Sequence, residues 1–298
     1  VTENAATDLG ASTISGTFAI TSGGAITDSG TQAITGDATF TNTAGTDDAI
    51  TLDDASNDFG GTVTFAADSG SAVTIVDITA LDLKALTAAS LSATAGGAVT
   101  DSGTLAIAGA TTISASGQDI TLDESASTFG TLALTGVNVA VTDAGATDLG
   151  ASTVSGTFAI TSGGAVTDSG TLAITGATTI SASGQDITLD ETASTFGSLL
   201  LTGANVAVTD AGAVDLGAST VSGTLGITSA GAVTDSGTLA ITGATTISAS
   251  GQDITLDESA STFGTLALTG ANVAVTDAGA TDLGASTVGG TLGITSAG

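Results

Sequence analysis

The chain has 298 residues, of which 30 are acidic and one, Lys84, is basic, for a net charge of −29; it contains no His, Cys, Pro, Met, Trp or Tyr. That vocabulary removes disulfides, thiolate and imidazole metal sites, and every nucleophile that needs a histidine base. One cation cannot hold phosphate, so nucleic acid is repelled and is not expected as a partner.

High charge can signal disorder, but 41% of the residues are hydrophobic and the mean hydropathy is +0.48. Alternating Val, Ile, Leu and Thr reads as strand rather than coil. No apolar run approaches the roughly 20 residues that cross a bilayer, so no membrane insertion is expected.

The first residues, VTENAATDLG, carry no initiator Met, basic segment or apolar segment. The expectation is a mature product or a piece of something longer. Residues 6–36 (ATDLGASTISGTFAITSGGAITDSGTQAITG) read as two coils of a diverged first copy. Residues 37–70 read as a lengthened third coil, whose extra residues are expected in a surface loop. Residues 71–89 read as an altered coil that carries Lys84.

Downstream the copies become regular. GQDITLDESASTFGTLALTG stands at 117–136 and again at 251–270, with GQDITLDETASTFGSLLLTG at 184–203 between them, a period of 67. One period divides into coils 137–156, 157–176 and 177–203, two of equal length and a longer third. The chain thus reads as one continuous unit, 1–298. It comprises a diverged copy (1–70), repeats at 71–136, 137–203 and 204–270, and a truncated copy at 271–298. It stops inside a coil, as expected of a piece of a longer array.

Each coil holds short runs of period two. In DITLD, Ile120 and Leu122 point in while Asp119, Thr121 and Asp123 point out. In TLALT, Leu132 and Leu134 point in. Between the runs stand SGG, DSG, DAG and ASG, which are turn signals. Strands this short must stack coil on coil, at about 4.8 Å per coil, to pair both edges. The fold class expected is all-β: a parallel β-helix, or β-solenoid, of about 13 coils. A string of small sandwiches, one per repeat, is the rival, but small β domains without disulfides or a large aromatic core are marginal. Phe129, Phe196 and Phe263 recur just before a turn glycine and read as core plugs.

TSGGAVTDSGTLAITG (161–176), ATAGGAVTDSGTLAIAG (93–109) and ITSAGAVTDSGTLAITG (227–243) resemble the degenerate repeats of filamentous-haemagglutinin-like exoproteins. The resemblance touches nearly the whole chain. It implies a right-handed parallel β-helix, extracellular or on a bacterial cell surface, working in adhesion or biofilm matrix. Nothing here matches the secretion domain of that family.

A segment copied almost unchanged has a task that repeats, and adding length is such a task. The expected function is therefore a structural repeat rod, a stalk or filament subunit that associates with itself and touches cell surfaces or polysaccharide. The alternative is a binding module with a Thr/Asp face for glycan, receptor or ice, built on outward residues such as Thr142, Thr167 and Thr188. No enzyme is expected, because an active site is unique whereas these carboxylates are copied in every repeat. No cofactor is required. Hard cations take several oxygen ligands, so Ca²⁺ is the candidate for acidic residues read as solvated coil corners: Asp123, Glu124, Asp143, Asp148, Asp168, Asp190, Glu191, Asp257 and Glu258.

Overall fold

A computed structural model describes residues 1–43, 45 and 48–298. Among these residues every regular element is a strand, the strand pairings are parallel, and the fold is a β-solenoid of about 15 turns with no helix. The chain divides into two compact units, Val1–Thr147 and Asp148–Gly298.

The alternating pattern drives the stacking. In Phe158–Ser162 the residues Phe158, Ile160 and Ser162 are buried while Ala159 and Thr161 are not. In Val166–Asp168 the outer two residues are buried and Thr167 is exposed. Each buried Ile, Leu or Val contributes about 1.5–3 kcal/mol relative to exposure, and stacking lets all of them share one interior. Phe129, Phe196 and Phe263 lie inside, at 5%, 6% and 7% exposure, as the sequence leads one to expect. The SGQ turns need positive φ, which Gly117, Gly184 and Gly251 supply at 80°, 77° and 79°.

In the second unit one ladder runs Val166–Ile187–Val206–Leu225–Thr245–Leu266. A second starts Phe158–Thr178–Leu199–Leu216. It continues from Val214, in the same strand as Leu216, through Val233–Ile254–Val273–Leu292. Successive partners are nearly evenly spaced along the chain, so the turn length hardly varies. Three turns carry the first ladder from Val166 to Leu225, whereas one repeat runs on from Val166 to its copy Val233. The repeat is therefore longer than three turns.

This corrects the expectation of three coils per repeat and about 13 in all. The stretch 177–203 is not one long coil; it is a turn plus part of the next. As a result each copy stands on the other ladder from the one before it. Val233, the copy of Val166, stands on the second ladder, while Leu225, the copy of Phe158, stands on the first.

The first unit shows a similar turn length with more irregularity. Its ladder runs Ile26–Ile50–Val73–Leu91–Thr111–Leu132. The longest step, from Ile26 to Ile50, contains the expected surface loop. Thr43 and Gly45 are exposed there, and residues 44, 46 and 47 lie outside the described residues. Lys84 is the extra residue of a β-bulge in Leu81–Ala88: Val63 pairs with Leu83 and Thr64 with Ala85. The bulge leaves Lys84 exposed. Phe40 is ringed by Phe18, Phe59 and Phe65, at centroid distances of 5.7, 6.0 and 5.7 Å.

Candidate functional site

Polar groups converge where a TDSGTL turn lies against the DE(S/T)AS segment of the following turn. Val-Thr-Asp continues the in–out alternation, so Asp168 points inward behind Val166 and is only 8% exposed. Its Oδ1 accepts the Asp190 N–H at 2.8 Å and its Oδ2 the Glu191 N–H at 3.4 Å. A little further on, buried Ser194 turns back: its N–H donates to the Glu191 carbonyl, and its Oγ accepts the Leu172 N–H at 3.0 Å. The carboxylate of one turn thus holds the next, and the serine of the next holds the first. Two side chains give partners to the main-chain N–H groups of Asp190, Glu191 and Leu172, as buried backbone requires.

The same brace recurs in each unit. Asp235 accepts from Asp257 at 2.8 Å and Glu258 at 3.4 Å, and Ser261 accepts from Leu239 at 3.0 Å. Asp101 accepts from Asp123 at 2.8 Å, and Ser127 from Leu105 at 3.0 Å. The close approach of turns at DSG also demands glycine: a Cβ on Gly170 would collide with the Ala151 main chain.

A second set of inward aspartates closes the DAG turns. Asp143 accepts the Gly145 N–H at 2.8 Å and the Thr147 hydroxyl at 3.1 Å. Asp210 accepts from the Gly212 and Phe196 N–H groups, and Asp277 from Gly279 and Thr281. Asp77 does the same with the N–H and hydroxyl of Thr79. Burial pushes the carboxyls of Asp77, Asp143, Asp168, Asp210 and Asp235 above their ordinary value, against the pull of the N–H groups they accept. For Asp101 burial carries it to about 6, opposed by the N–H groups of Asp123 and Glu124.

The residues expected at solvated corners therefore separate into two groups. Asp143 and Asp168 are buried caps, a correction that follows from the alternation placing Asp two residues after an inward Val. Asp123, Asp190 and Asp257 are exposed, and Glu124, Glu191, Glu258 and Asp148 are partly exposed. Asp148 accepts the Ser169 hydroxyl at 2.8 Å. Asp168, Asp190 and Glu191 are brought together, but through main-chain N–H groups. Among the described residues no group of three or more carboxylates gathers to hold a metal ion. Asp101 and Asp235, the copies of Asp168, and Asp210, the copy of Asp143, share the same correction from corner to buried cap, for which the inward phase of V-T-D was the available signal; Ser194 was not expected from the sequence.

Outside, Asp–Asn–Thr columns run along the turns. The N–H and Nδ2 of Asn205 donate to Asp186 Oδ1 at 3.0 and 2.9 Å, and Asn205 Oδ1 accepts from the N–H and hydroxyl of Thr224, both at 3.1 Å. Asp253, Asn272 and Thr291 repeat it. The outward row through Thr167 and Thr188 continues as Ala207, Gly226, Thr246 and Ala267. It is a mixed row and not a threonine array.

The chain matches the family described as "Repeats of unknown function (DUF5649)" in five consecutive segments: 1–66, 70–135, 136–202, 203–269 and 270–298. It belongs to that family. The family repeats follow the period of the sequence closely, so in the complete copies each contains one brace. Searches of curated proteins and of solved structures found no match.

Proposed function

We propose that these repeats are a structural spacer, a rod of a bacterial surface adhesin or biofilm matrix protein, outside the cell. The observation that carries this reading is the brace. In every complete copy its buried side chains, Asp168 and Ser194 among them, are used on main-chain groups of the neighbouring turn. A site copied in each repeat and directed inward serves cohesion rather than turnover, and in this reading the chain is not an enzyme. The resemblance of 161–176 and 227–243 to haemagglutinin-like repeats supports the extracellular, adhesive setting.

The exposed Asp123, Asp190 and Asp257 and the partly exposed Glu124, Glu191 and Glu258 keep neighbouring molecules apart until divalent cations such as Ca²⁺ screen them. Self-association then follows. A second reading, a face for glycan or receptor, draws on the exposed Asp186–Asn205–Thr224 column.

Negative-stain electron microscopy of residues 1–298, with millimolar Ca²⁺ and with chelator, tests the proposal. Separate rods in both conditions support a spacer without self-assembly. Filaments formed only with Ca²⁺ assign the exposed carboxylates to assembly. Compact particles in both conditions sink the structural reading.

A further inference from the structure

One repeat is not a whole number of turns, and this determines where each copy faces. In the second unit the N–H groups of Val166, Ile187, Val206 and Leu225 donate to the carbonyls of Asp186, Asn205, Thr224 and Ala244, so those four acceptors share one corner of the coil. Val233, Ile254 and Val273 donate in the same way to Asp253, Asn272 and Thr291. The Asp186–Asn205–Thr224 column therefore occupies the corner that precedes the first ladder, and its copy, Asp253–Asn272–Thr291, the corner that precedes the second. A turn such as 225–244 carries three strands, Leu225–Ser229, Val233–Asp235 and Leu239–Ile241. One repeat moves the exposed column from the corner of one ladder to that of the other, and the next repeat moves it back: Phe158, Leu225 and Leu292, equivalent residues of successive copies, stand on the second, the first and again the second ladder.

We infer that the number of repeats sets the direction in which the repeat's exposed surface faces. Each added copy displays its Asp–Asn–Thr column, and the Ser-Gly-Gln-Asp loop that begins it, on the other ladder's corner, and two copies return to the starting corner after seven turns, as the second ladder shows between Phe158 and its second copy Leu292. Neighbouring copies never present identical surface patches on one side. A partner that reads the patch meets it singly, at staggered heights around the coil, and an extended flat surface cannot engage two neighbouring copies at once. Gain or loss of a single repeat then turns all that follows by one corner, whereas gain or loss of two lengthens or shortens the coil without turning it.

The absence of native cysteine makes the test clean. Gln185 and Gln252 occupy equivalent exposed positions one repeat apart. In the full chain carrying Gln185→Cys and Gln252→Cys, spin labels are measured by pulsed electron–electron resonance. A reference chain carries Gln185→Cys and Ala244→Cys, which share a corner three turns apart. The reference pair is expected near 14 Å, three spacings of ~4.8 Å, and the Gln185/Gln252 pair beyond about 25 Å, because roughly nine residues of strand and loop at ~3.3 Å each also separate its corners. Equal short distances for both pairs would overturn the inference. Insertion of one further copy of 204–270 after Gly270 tests the return after two repeats. The glutamine two repeats beyond Gln185 is expected about 34 Å away, seven spacings of ~4.8 Å, purely along the coil. A distance clearly beyond that value, with circular dichroism still showing β structure, would refute the return to the first corner.

Discussion

The first repeat and the later ones close the same turn with different chemistry. In the second unit Asp168 caps the Asp190–Glu191 turn, Ser194 accepts from Leu172, and Leu172 fills the interior. In the first repeat Asp28 receives the Asp53 and Asp54 N–H groups at 2.9 and 3.4 Å, but Asn57 stands where the later copies have Ser. Asn57 Oδ1 accepts from the N–H of Gln32 at 2.7 Å, and its Nδ2 also donates to Asp28 at 2.6 Å. Gln32 replaces the leucine, and its amide donates to the carbonyls of Gly30 and Gly10 at 2.7 and 2.9 Å. The core beside it compensates with the Phe18–Phe40–Phe59–Phe65 cluster. The main-chain geometry is what persists: two N–H groups on a carboxylate and one on a side-chain oxygen. The side chains that meet it are interchangeable as a set.

The comparison is sharpest where one group serves two partners. Asn57→Ala strips both the Gln32 N–H and the Asp28 carboxylate of a buried partner. Ser194→Ala strips only the Leu172 N–H. An unsatisfied buried group costs about 1–3 kcal/mol, so urea titration should show Ser194→Ala losing about that much and Asn57→Ala clearly more. Equal losses would mean the Asn57–Asp28 bond contributes nothing.

A smaller effect is expected from pH. With the folded-state value of Asp101 near 6 and an unfolded value of about 3.9, protonation is favoured by folding. Its contribution to stability is fully present below pH ~3.9 and disappears as pH rises through about 6. The melting temperature should therefore climb on mild acidification across that window, and Asp101→Asn should flatten the climb. A wild-type slope unchanged by the substitution would remove Asp101 as its source.

The smallest effect concerns a hydroxyl. Phe18 stacks on Ala38, while its later copy, Phe158, stacks on Thr178. The Thr178 Oγ1, like those of Thr111 and Thr245, is buried without a hydrogen-bond partner. Thr178→Val keeps the shape and removes the unsatisfied group, so stability should rise by about 1 kcal/mol. A loss on thermal melting would show that the hydroxyl is satisfied after all.

The fold was legible because period-two alternation in runs such as DITLD leaves only one face for Ile120 and Leu122 to bury. The number of turns was not, because a sequence displays its repeat length and not the ratio of repeat to turn. The DE(S/T)AS segment made 177–203 look like one long coil, whereas the strand Ser198–Gly203 already lies one turn above Ala177–Ser181. The brace was half legible. V-T-D places Asp168 inward by simple alternation, but an aspartate before Ser-Gly fits an exposed turn equally well, so two local signals compete at one residue. Ser194 gave no signal at all: its role depends on a main-chain N–H 22 residues earlier.

The spacing of the ladders also bears on how the chain finds its structure. Ladder partners are near neighbours in sequence, from Leu199 with Leu216 at the short end to Ala38 with Val63 at the long end. Relative to the whole chain, such separations average about 0.07, at the level of helical bundles (~0.07–0.12) and below β-sandwiches (~0.16–0.22). A β protein of this size would ordinarily wait for distant segments to meet. Here each turn needs only its successor, so ordering can start at one brace and advance turn by turn, and the time to add a copy does not depend on how many are already in place.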